Sequence, residues 1–166
     1  MGDADTTVEG AVQAAMEGMD GTRHGAEVLV IGFGGIGKVL VGDLRGLGAG
    51  VWVSVRKYSD QAWAETMGCQ TLHTERLAGK LGNFDAVFNT VPAPVLGRER
   101  LEELRPSCIV VDVASGSGGV NFAAADALGI SATWARGLPG KVAPFTAAEV
   151  LRTALYHILE ERGEPI

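Results

Sequence analysis

The segment Gly32-Phe33-Gly34-Gly35-Ile36-Gly37 constrains the fold more than any other feature of the chain. It stands between a short continuous apolar run, Val28–Ile31, and a stretch in which Ile36, Val39, Leu40, Leu44 and Leu47 recur at helical spacing. A run that is apolar at every position suits a strand covered on both faces. GxGxxG between such a strand and a helix has a mechanical reading. Gly32 permits the tight turn, Gly34 lets backbone approach a pyrophosphate, and Gly37 lets the helix pack closely on the strand. The free N–H groups at the helix start then attract phosphate. The bland alternative is a glycine-rich turn with no ligand, and the flanking strand and helix argue against it.

The same alternation continues along the chain. Strands are expected at Val51–Val55, Thr71–Leu72, Ala86–Asn89, Cys108–Asp112 and Ile130–Trp134, and helices at Gln61–Met67, Glu75–Leu81, Glu99–Leu104 and Phe122–Leu128. Gly48, Gly68 and Gly129 supply helix stops, and Pro106 another. A last helix opens with Thr146 and Glu149 in capping-box spacing. Six strands separated by helices imply parallel pairing through right-handed crossovers. The expected fold is α/β, a doubly wound parallel six-stranded sheet of the NAD(P)-binding Rossmann type. An extra helix, Val8–Met19, precedes it, so the expected organisation is an N-terminal helix and linker over 1–26 and a dinucleotide-binding domain over 27–166.

In such a sheet ligands bind beyond the carboxyl ends of the strands. An NAD site usually carries an acidic residue there, about 20 residues past the glycines, to hold the ribose 2′-OH. This chain has no Asp or Glu between Asp43 and Asp60, and its second strand ends in Ser54-Val55-Arg56-Lys57. A guanidinium, an ammonium and a hydroxyl suit a 2′-phosphate, so NADP is preferred to NAD. Arg56 and Lys57 as solvated loop charges is the competing reading.

Asn89-Thr90-Val91-Pro92 follows the fourth strand, in the loop expected to run over the cofactor, although an ordinary proline-bounded turn is equally open. After the fifth strand, Ala114 and Ser115 leave room for a ring, and Asp112 reads more readily as a loop-capping Asp than as a general base. Arg136 and Lys141 are the nearest cations for an anionic substrate. The expected cofactor set is therefore Gly32, Gly34, Gly35, Ile36, Gly37, Ser54, Arg56, Lys57, Asn89, Thr90, Val91, Pro92 and Ala114. No general base is identified, and the candidates on the catalytic, substrate side are Ser115, Lys141 and Glu9.

Composition narrows the function classes. A net charge of −6 argues against a nucleic-acid or basic membrane-surface footprint. The 24 glycines follow no collagen-like period, so they mark turns and close approaches. Two cysteines, Cys69 and Cys108, suffice for neither a disulfide framework nor a four-ligand zinc site, and they suit a reducing compartment. His24, His73 and His157 are too scattered for a ligand set, and no GxSxG elbow or P-loop occurs. Neither a signal peptide nor a spanning run of apolar residues is expected.

Taken in order, Thr7-Val8-Glu9-Gly10-Ala11, His24-Gly25, the glycine segment, Arg56, Met67-Gly68, Phe88-Asn89-Thr90-Val91-Pro92, Asp112-Val113-Ala114-Ser115 with Gly118-Gly119, and Gly137-Leu138-Pro139-Gly140-Lys141-Val142-Ala143-Pro144 with Thr146-Ala147 resemble the A-subunit of bacterial dipicolinate synthases. The likeness runs from about Thr7 to about Leu159. It implies NAD(P)-linked oxidation of dihydrodipicolinate, a small dicarboxylate, to dipicolinate during sporulation, in the mother-cell cytoplasm. It also implies a further domain ahead of Thr7 that forms the other wall of the cleft, and a second, flavoprotein-like subunit. The chain then reads as a domain fragment that binds cofactor without useful turnover alone.

Gly35-Ile36 stands where the family suggests Arg-Thr, and Ser117, Val120-Asn121 and Phe145 also depart from it. If the family's Lys at position 145 serves the substrate, the last loop differs here. Two other readings stay open: a Rossmann domain of another NADP-dependent dehydrogenase, of hydroxyacid or shikimate type, and a non-catalytic NADP(H)-sensing module. Homo-oligomerisation is also open.

Overall fold

The computed structural model describes Gly10 and residues 25–135. The expected helix over 8–19, most of the linker, the loop at 137–144 and the last helix lie outside the described residues. Six parallel strands form one sheet: β1 (Glu27–Ile31), β2 (Gly50–Val55), β3 (Gln70–His73), β4 (Ala86–Asn89), β5 (Ile109–Asp112) and β6 (Ser131–Trp134). Their order is β3-β2-β1-β4-β5-β6, the doubly wound arrangement in which the chain reverses direction next to β1. The helices are α1 (Gly35–Gly46), α2 (Tyr58–Thr66), α3 (Arg98–Glu102) and α4 (Phe122–Ala127).

The sheet is buried on both faces, as the unbroken apolar runs require. Val28 and Val30 point to one side, where Leu40, Val41 and Leu44 of α1 and Ala64 of α2 cover them. Leu29 and Ile31 point to the other, against Leu77, Leu81, Leu101 and Leu104. Alternate residues of one strand thus feed two cores. The register pairs Ile31 with Ser54 and with Asn89, and Asn89 with Asp112. The strands therefore end along one line, and the loops after β1, β2, β4 and β5 meet there.

One element differs from expectation. The helix expected over Glu75–Leu81 is a single 3-10 turn, Thr74–Arg76, followed by turns. Gly79 takes a left-handed conformation (φ 80°) that ends any continuation, while Leu77 and Leu81 still reach the core. The apolar spacing was that of a helix, and burial of the two leucines satisfies it without one. The second helix also begins earlier than expected, at Tyr58, directly after β2.

Candidate dinucleotide site

The turn after β1 is built by contacts that only glycine allows. Gly32 has φ 95°, and a Cβ there would lie 2.9 Å from Val91 Cγ2 and closer still to Thr90 Oγ1. A Cβ on Gly37 would lie 2.6 Å from the carbonyl oxygen of Gly32. These two glycines are explained by the fold. Gly34 and Gly35 are not: a Cβ on either would meet nothing within 4 Å, and neither has positive φ. Their bare backbone faces open space.

Gly34 is also the N-cap of α1, where it offers no side-chain acceptor, and the first turn holds no acidic residue. The leading N–H groups of this 12-residue helix are left without side-chain partners at the mouth of a cleft of about 550 Å³. That volume lies within the usual range for ligand pockets. An anion fits this donor set, and the open backbone of Gly34 and Gly35 is the cradle that a pyrophosphate needs.

The cleft walls combine eleven of the expected residues with five others. Gly32–Gly37, Ser54, Arg56, Lys57, Thr90, Val91 and Pro92 all line it. Thr90 anchors the loop after β4, since its backbone N–H and its Oγ1 both donate to the carbonyl of Ile31, at 2.9 and 2.8 Å. Ser54 is fully buried and its hydroxyl pairs with Thr74 Oγ1 at 3.1 Å, tying β2 to the turn after β3. Of the residues at the end of β2, the exposed Arg56 and Lys57 are the ones with charge to offer.

Two expected contacts are not in the cleft lining. Asn89 is fully buried. Its amide nitrogen donates to Val91 O and Asp112 Oδ1, and its amide oxygen accepts from the N–H of Val91. It shapes the loop from behind. Ala114 is buried beyond β5, and Ser115 is exposed there, outside the cleft. Glu9, Arg136 and Lys141 lie outside the described residues, as do His24 and His157.

Asp112 has the structural role favoured for it. Its buried carboxyl accepts from Asn89 Nδ2, from the N–H groups of Ala114 and Val120 at 3.1 Å, and from that of Gly119 at 2.7 Å. Gly118 (φ 71°) must be glycine beside it, because a Cβ would run into Asp112 Oδ2. A carboxyl saturated by four donors braces the 112–120 loop and is poorly placed to take a substrate proton.

Phe33, Lys38, Val55, Asp60 and Thr74 also line the cleft. Lys38 lies one helical turn after Gly34, hence on the same face. Its Nζ sits 4.9 Å from the ring centroid of Trp63 and 5.5 Å from that of Phe33. Helical spacing from Gly34 was the available signal for Lys38. Asp60 is in the first turn of α2, where its charge favours the helix dipole. Three cations against one acid leave the lining positive.

Among the described residues no group of three or more His, Cys, Asp or Glu is placed to hold a metal, and no helix is long and apolar enough to cross a membrane.

Residues 3–131 match the family described as D-isomer specific 2-hydroxyacid dehydrogenase, NAD binding domain. The chain is 37% identical to the dipicolinate synthase A-subunit of Bacillus subtilis (strain 168) over 155 residues, covering 93% of this chain and 52% of that protein. The crystal structure of the dipicolinate synthase A-subunit from Bacillus halodurans matches with a TM-score of 0.81 at 35% identity, over 93% of this chain and 54% of that one. The chain thus spans about half the length of these relatives. Escherichia coli K-12 YhdH, solved with bound NADPH, shares the fold at a TM-score of 0.67 and 17% identity, over 92% of this chain and 49% of its own.

Proposed function

Since the chain belongs to the family of NAD-binding domains of the D-isomer specific 2-hydroxyacid dehydrogenase type, we propose that it is the cofactor-holding half of a dipicolinate synthase A-subunit that uses NADP. The observation that carries the cofactor reading is the pair Gly34 and Gly35. They are glycines with no neighbour to explain them, at an uncapped helix start in a positive cleft. The reaction class rests on the likeness to the Bacillus subtilis protein.

Each residue then has a defined task. The N–H groups at the start of α1 hold the pyrophosphate, and Gly34 lets it approach. Arg56 and Lys57 hold the 2′-phosphate, where charge-assisted bonds are strongest. Lys38 adds positive charge to the same wall. Thr90, Val91 and Pro92 form the wall beyond β4. Asp112 and Asn89 keep the loops after β4 and β5 rigid, which limits the orientations open to a bound ring. When bound, the nicotinamide supplies a hydride acceptor for the dihydropyridine, whose aromatisation favours the transfer. The two substrate carboxylates need cations from the last loop or from a second domain. A cytoplasmic setting and the second, flavoprotein-like subunit belong to this same reading.

Asp60 favours a second reading, in which a carboxylate in the cleft recognises a ribose hydroxyl and NAD is the cofactor. Arg56 and Lys57 outnumber it at the end of β2.

The reaction is tested by replacing the corresponding half of the Bacillus subtilis protein with this chain and measuring dipicolinate in the resulting spores. Restored dipicolinate supports the assignment. A chimera that folds and binds cofactor but makes none points to another dehydrogenase.

A further inference from the structure

Arg56 and Lys57 form a ridge with a cavity on each side. Beyond the dinucleotide cleft lies a second one of about 370 Å³, at the β3 edge of the sheet. Arg56 and Lys57 line both, and Arg76 and Lys80 join them in the second. Among the described residues no acid lines this cavity. The Glu65 carboxylate stands just behind the wall, held by two lining residues, Gln61 through Nε2 at 3.0 Å and Thr71 through Oγ1 at 3.4 Å. Among the described residues the ion pairs are Arg98–Glu102 and Arg105–Asp85, so none of the four cations forms an ion pair with a described carboxylate.

Four cations around one concavity, without an ion-pair partner among the described residues, repel one another, and a protein of net charge −6 has acids in excess with which to pair them. His73 ends β3, three residues before Arg76. Its Nδ1 accepts from the N–H of Glu75 at 3.2 Å, which leaves Nε2 as the ring's donor in the neutral form. The cavity is larger than a single phosphate group needs and is in the size range of small-ligand pockets.

We propose that this second cavity binds a small oxyanion of two or more negative charges, a phosphorylated or polycarboxylated metabolite, and that its occupation antagonises NADP. The antagonism follows from the shared ridge: one pair of cations cannot fully serve two anions, and a coupling of this kind is reciprocal. The antagonism rests on the 2′-phosphate reading, whereas anion binding does not.

The test is an amide NMR titration of the labelled chain with citrate and, separately, with inorganic pyrophosphate, at constant ionic strength. Saturable shifts at amides 71–80 are expected with at least one probe, and the better probe identifies the ligand class. The double variant Arg76→Ala/Lys80→Ala should lose those shifts while keeping the NADP+-induced shifts at 32–37, which also shows that it folds. Saturating probe should raise the NADP+ dissociation constant about threefold or more in the parent chain, but not in the variant.

Absence of saturable shifts at 71–80 with both probes, or their persistence in the variant, overturns the site. An NADP+ affinity indifferent to the bound probe overturns the antagonism. Probe shifts at 71–80 without any NADP+ shifts at 32–37 would sink the cofactor reading and leave the anion site standing.

Discussion

Gly34→Ala and Gly37→Ala should fail in opposite ways, although they lie three residues apart in one motif. At Gly37 the added methyl would lie 2.6 Å from the Gly32 carbonyl oxygen, where ordinary contact begins at 3.4 Å, a shortfall of 0.8 Å. The obstacle is backbone in the turn itself, so α1 must move off β1 or the turn must open. Forced overpacking of this kind costs roughly 1–3 kcal/mol. The better helix propensity of Ala returns up to about 1 kcal/mol. The net expectation is a loss of about 1–2 kcal/mol in a urea melt, with unchanged m-value.

At Gly34 the methyl meets nothing within 4 Å, and the backbone (φ −81°, ψ −160°) is one that any residue adopts. Ala is a poorer N-cap than Gly, so stability should fall, but by no more than about 1 kcal/mol. The methyl instead occupies the approach to the helix N–H groups, so NADP+ affinity should fall at least about tenfold, which is about 1.4 kcal/mol. Urea melts and calorimetric titrations of both variants decide it. A Gly34→Ala protein as unstable as Gly37→Ala, or one that binds NADP+ like the parent, would refute the assignment of the two glycines.

Other consequences are more local. Asp112→Ala removes the acceptor for four buried donors, and roughly 3–5 kcal/mol of stability should go with it, read from chemical melts. Asp60→Asn should raise the preference for NADP+ over NAD+ by about threefold in paired titrations, since it removes the one acid lining the cleft among the described residues. Burial, reinforced by the Asp85 carboxylate and only partly offset by Arg105, pushes the Cys108 thiol up to about 12 from its ordinary 9.0. The folded thiol then keeps its proton where the unfolded one loses it. Its stabilising contribution is full below pH 9 and falls as pH rises toward 12, by about 1.4 kcal/mol per pH unit. Cys108→Ala should flatten alkaline urea melts over that window, and the native thiol should resist alkylation at pH 8.

The sheet was legible because its evidence is local and redundant. Val28–Ile31, Val51–Val55 and Ala86–Asn89 are apolar at nearly every position, and Gly48, Gly68 and Gly129, each at positive φ, stop helices as expected. The glycine segment was legible because strand, turn and helix meet in one short stretch. The turns after β3 were not, since Leu77 and Leu81 carry a helical spacing that only tertiary burial explains. Nor did the sequence distinguish residues that line the cleft from those that brace it. Asn89 sits at a strand end like Arg56, but its hydrogen bonds turn it inward. Lys38 is legible from its spacing, one helical turn past Gly34, whereas Asp60 reaches the wall because its helix starts at Tyr58, ahead of the expected Gln61.

The central claim is that the cleft over Gly32–Gly37 holds a dinucleotide whose 2′-phosphate is taken by Arg56 and Lys57. Calorimetric titration of the chain with NADP+ and with NAD+, repeated for Arg56→Ala, tests it most directly. The account predicts tighter binding of NADP+, lowered by about tenfold or more in the variant, with NAD+ binding little changed. Equal or tighter NAD+ binding, or an NADP+ affinity indifferent to Arg56→Ala, would contradict it.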